Sequence, residues 1–175
     1  MAELDFNTKE GQEIERKLLV FMINVGTHEA PDWAPIGRGV EENSLEYDWQ
    51  EESKKDILGN TRNTMKTPIV SGSFDPWPME RGDKAQKHLW NLAIREQNAV
   101  ALSKQDVLVV HKYVGEDNAF FAERYDGTQV KVTSIGGEGG GSLVLPTDVT
   151  MGGNRTTGKA AISAEGAVTF TKDAE

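Results

Sequence analysis

Ser44-Leu45-Glu46-Tyr47-Asp48-Trp49-Gln50, residues 44–50, alternates between apolar and polar side chains without a break. In an extended chain successive side chains point to opposite faces. Leu45, Tyr47 and Trp49 therefore share one face, and Ser44, Glu46, Asp48 and Gln50 the other. The pattern predicts a half-buried β-strand with its aromatic side turned inward and with Glu46 and Asp48 in solvent. The flanks read the same way. Upstream, Trp33 to Val40 (WAPIGRGV) is a short strand broken by glycine, and Lys17 to Val25 (KLLVFMINV) is almost continuously apolar. An uninterrupted apolar run of that length predicts a strand covered on both faces. Downstream, Glu51 to Lys66 is polar and mixed in charge, with Gly59-Asn60 as a turn signal, and predicts a long hairpin tip or loop. Thr67 to Phe74 (TPIVSGSF) returns as a strand. It stops at Asp75-Pro76-Trp77-Pro78, because proline has no N–H to give to a ladder.

Farther out, a single helix is predicted over Asp83 to Asn98. Asp83 is its N-cap, and Ala85, Leu89, Leu92, Ala93 and Trp90 lie on one broad face. The remainder reads as antiparallel β. Asp106 to Tyr113 is one strand. Ala119 to Tyr125 and Thr128 to Ser134 flank Asp126-Gly127, a pair suited to a two-residue hairpin turn. After the glycine-rich Gly136 to Gly141 come Leu143 to Met151, then Lys159 to Ser163 and Ala167 to Thr171, the last two joined through Glu165-Gly166. The fold class expected is mainly β, a β-sandwich or barrel with one flanking α-helix. Residues 1–15 read as an N-terminal arm, 16–171 as one domain with its long loop at about 51–66, and 172–175 as a short C-terminal tail.

Composition narrows the chemistry. The 175 residues carry a formal net charge of −9, which disfavours nucleic-acid and anionic-membrane binding by the molecule as a whole. No cysteine is present, which excludes disulfides, thiol catalysis and cysteine-ligated zinc and fits a reducing cytoplasm. The acidic start shows no secretory signal, and the longest apolar stretch, Leu18 to Ile23, is too short to span a bilayer.

Catalytic patterns are absent or incomplete. The loop 136–141 (GGEGGG) is not followed by a helix or by Gly-Lys-Ser/Thr, so it reads as a flexible connection rather than a phosphate cradle. His28, His88 and His111 lack metal-ligand spacing. Glu46 with Asp48, Glu41-Glu42 and Glu51-Glu52 are acid pairs that a glycosidase could use, but a solvated acidic face accounts for them. Trp33, Trp49, Trp77 and Trp90 fit a core or an interface better than a row of sugar platforms. No enzyme activity, metal or cofactor is expected.

Taken in order, several segments resemble the major tail tube proteins of long-tailed phages: Trp33 to Val40, Leu45 to Trp49 with its polar extension to Leu58, Ser71-Gly72-Ser73-Phe74-Asp75, and the helix beginning at Gly82-Asp83. Ala119 to Tyr125, Val130 to Gly137, Pro146-Thr147-Asp148-Val149, Gly152-Gly153 and Gly158 to Phe170 continue the likeness, which runs from about Ile14 to Thr171. It is a likeness of order and texture, with no single diagnostic motif.

The resemblance implies a virion structural protein whose β-sandwich subunits close as six-membered rings and stack into a tube. Such a tube conducts the genome without binding it specifically, has tape-measure, tail-tip and tail-terminator proteins as partners, and involves no membrane. It also implies assembly in the host bacterial cytoplasm and a place in the virion tail. Related tubes occur in contractile tails, tailocins and type VI secretion. On this reading Glu46 and Asp48 face the lumen, and Asp56, Asn60, Arg62 and Lys66 make the ring-to-ring contact. A competing expectation is a carbohydrate-binding β-sandwich module of a virion or cell surface, marked by exposed tryptophans on one flat face. A second is a hydrolase with a carboxylate pair in a pocket.

Overall fold

The computed structural model describes residues 3–174; Met1, Ala2 and Glu175, the extremities of the expected arm and tail, lie outside the described residues. Strands β1 (Leu19–Asn24), β2 (Trp33–Pro35), β3 (Leu45–Asp48), β4 (Glu52–Lys55), β5 (Thr61–Thr64) and β6 (Ile69–Phe74) precede helix α1 (Lys84–Trp90). A π-helical turn (Asn91–Arg95) and helix α2 (Ala99–Leu102) follow. Then come β7 (Gln105–Glu116), β8 (Ala119–Val132), β9 (Thr147–Thr150), β10 (Asn154–Ile162) and β11 (Val168–Lys172). The mainly-β class with a flanking helix is observed.

Strand β8 organises the molecule. Its first half, Phe120 to Asp126, pairs antiparallel with β10, which pairs with β11; its second half, Gln129 to Val132, pairs with β9, followed by β6 and β3. On its other side lie β7, β1 and β2. The two-residue hairpin expected at Asp126-Gly127 is therefore not formed: the chain runs straight on through it. A primed turn needs φ > 0 at both central residues. Here only Gly127 (φ 71°) takes it, and the result is a kink at which β8 leaves one partner for the other. The fully buried Thr128 hydroxyl secures the kink, donating to Tyr125 O at 3.1 Å and accepting from Gly152 N at 3.1 Å.

β1 and β7 are covered on both faces, as the unbroken apolar run in β1 requires. Phe21, Ile23, Val107 and Val109 join one core cluster with Phe74, Trp77, Leu89, Val130 and Val149. Met22, Leu108 and Val110 join a second, with Trp33, Ala122 and Ala160. Each fully buried aliphatic or aromatic side chain contributes roughly 1.5–3 kcal/mol, so the two clusters together hold the sheets.

Helix α1 belongs to the first cluster through Ala85 and Leu89. Asp83 caps it as predicted, its carboxylate accepting from Gln86 N at 3.0 Å. The helix is shorter than expected. After Trp90 it loosens to i→i+5 bonding (Glu96 N to Asn91 O, 2.9 Å) and ends at Arg95, ahead of Gln97 at φ 50°. The C-terminal hairpin of β10 and β11 forms through Glu165-Gly166, with Gly166 N donating to Ser163 O at 3.0 Å.

The N-terminal segment is not free along its whole length. Phe6 bridges Val114 on the end of β7, Asn7 N donates to Tyr113 O at 3.0 Å, and the Asn7 side chain donates to Lys112 O at 2.9 Å.

Candidate assembly surfaces

The segment 51–66 is a two-stranded sheet of its own, β4 against β5, with Lys54 opposite Arg62 and every residue of both strands exposed. A two-stranded ribbon lacking a packed face is marginal, so its turn chemistry has to hold it. Asp56 does that. Its carboxylate accepts from Leu58 N (2.9 Å), Asn60 N (2.9 Å) and Asn60 Nδ2 (3.0 Å), while Asp56 N donates to Asn60 O at 3.0 Å. The hydrogen bonds from Asn60 hold the Asp56 carboxyl below its ordinary range.

The four residues expected at the ring-to-ring contact all belong to this hairpin or its base, in different roles. Asp56 and Asn60 build the turn, Arg62 stands on a strand, and Lys66 sits at the base, donating its N–H to Trp49 O at 3.0 Å. At the tip is an apolar pair that is not among the expected contact residues. Ile57 is 102% and Leu58 81% exposed. Two adjacent aliphatics set in a polar run were the signal. Nothing among the described residues covers them, and apolar groups exposed together on a projecting element make it a candidate contact surface.

Strand β3 departs from expectation on one face. Glu46 and Asp48 are exposed, but Tyr47 (44%) and Trp49 (46%) are not buried. The alternation is present: the two rings share a side and stack at 6.4 Å and 22°. What is missing is a full cover, because β3 is the last strand of its path and, among the described residues, has a strand neighbour only in β6. Desolvation, followed by the nearby Glu123 charge, raises the Tyr47 phenol. The outward margin of β3 is an open edge.

The polar face of β3, β6, β9 and the end of β8 forms an open cleft of about 590 Å³ lined by Glu42, Glu46, Asp75, Asp148 and Lys131 among others. Lys131 approaches Asp148 at 3.8 Å. Four carboxylates against one lysine give the face a negative potential. Glu46 is part of it. Asp48 lies at the strand end instead, accepting from Gln50 N at 3.0 Å.

Two ion networks are internal. Glu123 accepts from Arg155 Nε at 2.6 Å and pairs with His111 Nε2 at 2.8 Å, and the Tyr125 hydroxyl donates to it at 3.2 Å. Burial pushes the Glu123 carboxyl up, but the hydrogen bonds and charge of His111 and Arg155 outweigh it and leave Glu123 low. Arg124 clamps Asp106 with two nitrogens, at 2.9 and 2.5 Å, and lies over the Trp33 ring at 5.5 Å. A general acid needs a raised carboxyl; Asp56 and Glu123 are both held low. No metal-binding group of His, Cys, Asp or Glu occurs among the described residues, and none of their helices is long and apolar enough to cross a membrane. Trp33 and Trp77 are core residues. A sugar platform would have only the half-exposed Trp49 and the partly buried Trp90 to use.

No family model matches the sequence, and no curated protein matches it. Among solved structures, the SPP1 tail tube, determined by solid-state NMR and cryo EM, is similar with a TM-score of 0.57. The match covers 83% of this chain and 78% of that chain at 13% identity. The chain has the tail-tube fold. An extended-state PVC sheath-tube complex (TM-score 0.47, 8% identity, 86% of this chain and 94% of that one) and the AFP tube terminating cap (0.49, 13%, 88% and 96%) are also similar over most of their length. At TM-scores below 0.5 neither carries weight. Among the described residues, surfaces without an internal partner include the β4–β5 hairpin, the margin of β3 and the acidic sheet face; β2 and β11 are edge strands as well.

Proposed function

We propose that this protein is the major structural subunit of a phage tail tube, closing into hexameric rings that stack and conduct the genome through their lumen. The tail-tube fold over four-fifths of the chain is the observation that carries the reading. The unpartnered surfaces support it. An open β-edge at β3 suits lateral pairing with a neighbouring copy, since unpaired strand margins otherwise template uncontrolled association. A ring contact of that kind is head to tail and can close, whereas stacking does not close and propagates. The hairpin projecting from β3 and β6 is the element that reaches the next ring. Glu46 on the acidic face, with Asp48 beside it, is assigned to the lumen, where like charge keeps DNA from sticking. Tape-measure, tail-tip and terminator proteins are the partners such a tube requires, and the product is located in the virion tail after assembly in the host cytoplasm.

Negative-stain microscopy of the purified protein tests this: tubes with an axial channel are expected, and a sample that stays single under all assembly conditions overturns it. Glu46→Lys with Asp48→Lys should still yield tubes if these acids face the channel. Loss of tubes from a folded variant would move them to an interface.

A further inference from the structure

The two ends of one strand pair are complementary. β3 runs into the hairpin and β6 runs back out of it, so the Ile57-Leu58 tip lies off one end of the pair. At the opposite end, where β3 begins and β6 finishes at Phe74, a groove of about 290 Å³ opens over Phe21, Ile36 and Phe74, with the partly exposed Leu19 and Val40 as walls. Gly37, at φ 97°, stands against the Phe74 ring, and an added Cβ would come within 3.1 Å of it. Glycine thus lets the backbone lie close to the groove floor.

The charges at the two ends match as well. At the groove, Arg16 is spent internally, donating to Leu19 O at 2.8 Å and lying over Phe21, and Lys17 pairs with Glu15 at 2.7 Å. Glu41 and Glu42, which adjoin it, make no ion pair among the described residues. On the hairpin, Lys54 pairs with Glu52 at 2.8 Å, while Lys55 and Arg62 make no ion pair among the described residues. An apolar tip flanked by uncommitted cations faces away from an apolar groove flanked by uncommitted carboxylates.

We infer that the groove bounded by β1, residues 36–43 and the end of β6 is the seat for the Ile57-Leu58 tip of a second copy of this chain in the adjacent ring, with Lys55 and Arg62 paired to Glu41 and Glu42. The inference rests on the tube reading and names the receiving surface. Plug and seat lie at opposite ends, so each copy gives one contact and receives another. A head-to-tail contact of this kind need not close on itself and can extend along an axis.

The cysteine-free sequence makes the test direct. A Leu58→Cys, Val40→Cys double variant, assembled and treated with copper–phenanthroline, should give a ladder of disulfide-linked multimers on a non-reducing gel. A Leu58→Cys, Ser163→Cys control should give none. In a second arm, Glu41→Lys with Glu42→Lys should abolish tubes, and adding Lys55→Glu with Arg62→Glu should restore them. Tubes without the ladder, or a ladder equally strong in the control, would overturn the seat and leave the tube reading standing. A folded four-site variant without restored tubes would likewise overturn the charge pairing. Wild-type protein that never polymerises would overturn both readings.

Discussion

The β7–β8 pair and the β4–β5 hairpin are both antiparallel ribbons of the same chain, yet they solve opposite problems. In β7, Gln105 through Val110 are all buried, and Val107 to Val110 have no exposed surface. In β4 and β5 every residue is exposed. The first ribbon owes its geometry to cover on both faces. The second owes it to one aspartate and the backbone ladder. Burial stabilises the subunit, and exposure leaves groups available to a neighbour, so the two ribbons should respond to mutation in different assays.

Leu108→Ala should give the largest stability change, a loss of about 2–5 kcal/mol in denaturant unfolding, because it empties a fully buried site. Glu123→Gln should cost less, on the order of 1–3 kcal/mol at neutral pH. Arg155 is half exposed, so solvent screens its share of the network. This loss carries a pH signature. The folded Glu123 carboxyl titrates below its unfolded value, so its contribution is complete above about pH 4.3 and fades as pH falls through the folded value. Unfolding titrations from neutral to acid should show wild type and variant converging. Parallel curves would discard the network as a source of stability.

Asp83→Ala, which removes the N-cap of α1, should cost about 1 kcal/mol in the same assay. Ile57→Ser with Leu58→Ser should leave unfolding unchanged, since neither side chain is buried, and yet abolish tubes in the microscope. Deleting Lys54 to Asn63 should do the same; a deletion variant that still stacks would remove the hairpin from the ring-to-ring contact.

What could be read in the sequence divides along the same line. The unbroken apolar run at Leu19 to Ile23 specified a strand with two covered faces, and Asp83 with Ala85 and Leu89 specified a capped helix, because burial and capping are written in local periodicity. Tyr47 and Trp49 showed that alternation assigns a side without saying whether anything lies against it. The strand order leaves β3 at the end of its path, and strand order is not a local property. Asp126-Gly127 showed that permission for φ > 0 is not a turn; the long-range partners β9 and β10 decide whether the chain bends back or runs on. On the hairpin the polar residues Asp56 and Asn60, expected at a contact, close the turn within the subunit. The apolar neighbours between them, Ile57 and Leu58, are the groups left facing outward.

β8 pairs with β10 along its first half and β9 along its second, and this has a kinetic consequence. Neither the β10–β11 nor the β9–β6–β3 strands can detach without tearing hydrogen bonds from that common strand, so the body should open as one cooperative unit. In deuterium exchange, the ladder amides of residues 120–132 should become labelled only through global opening, on a single slow timescale. Those of the β4–β5 ribbon should label quickly in the free subunit, and in a polymer their slowing would report how firmly each ring holds the next.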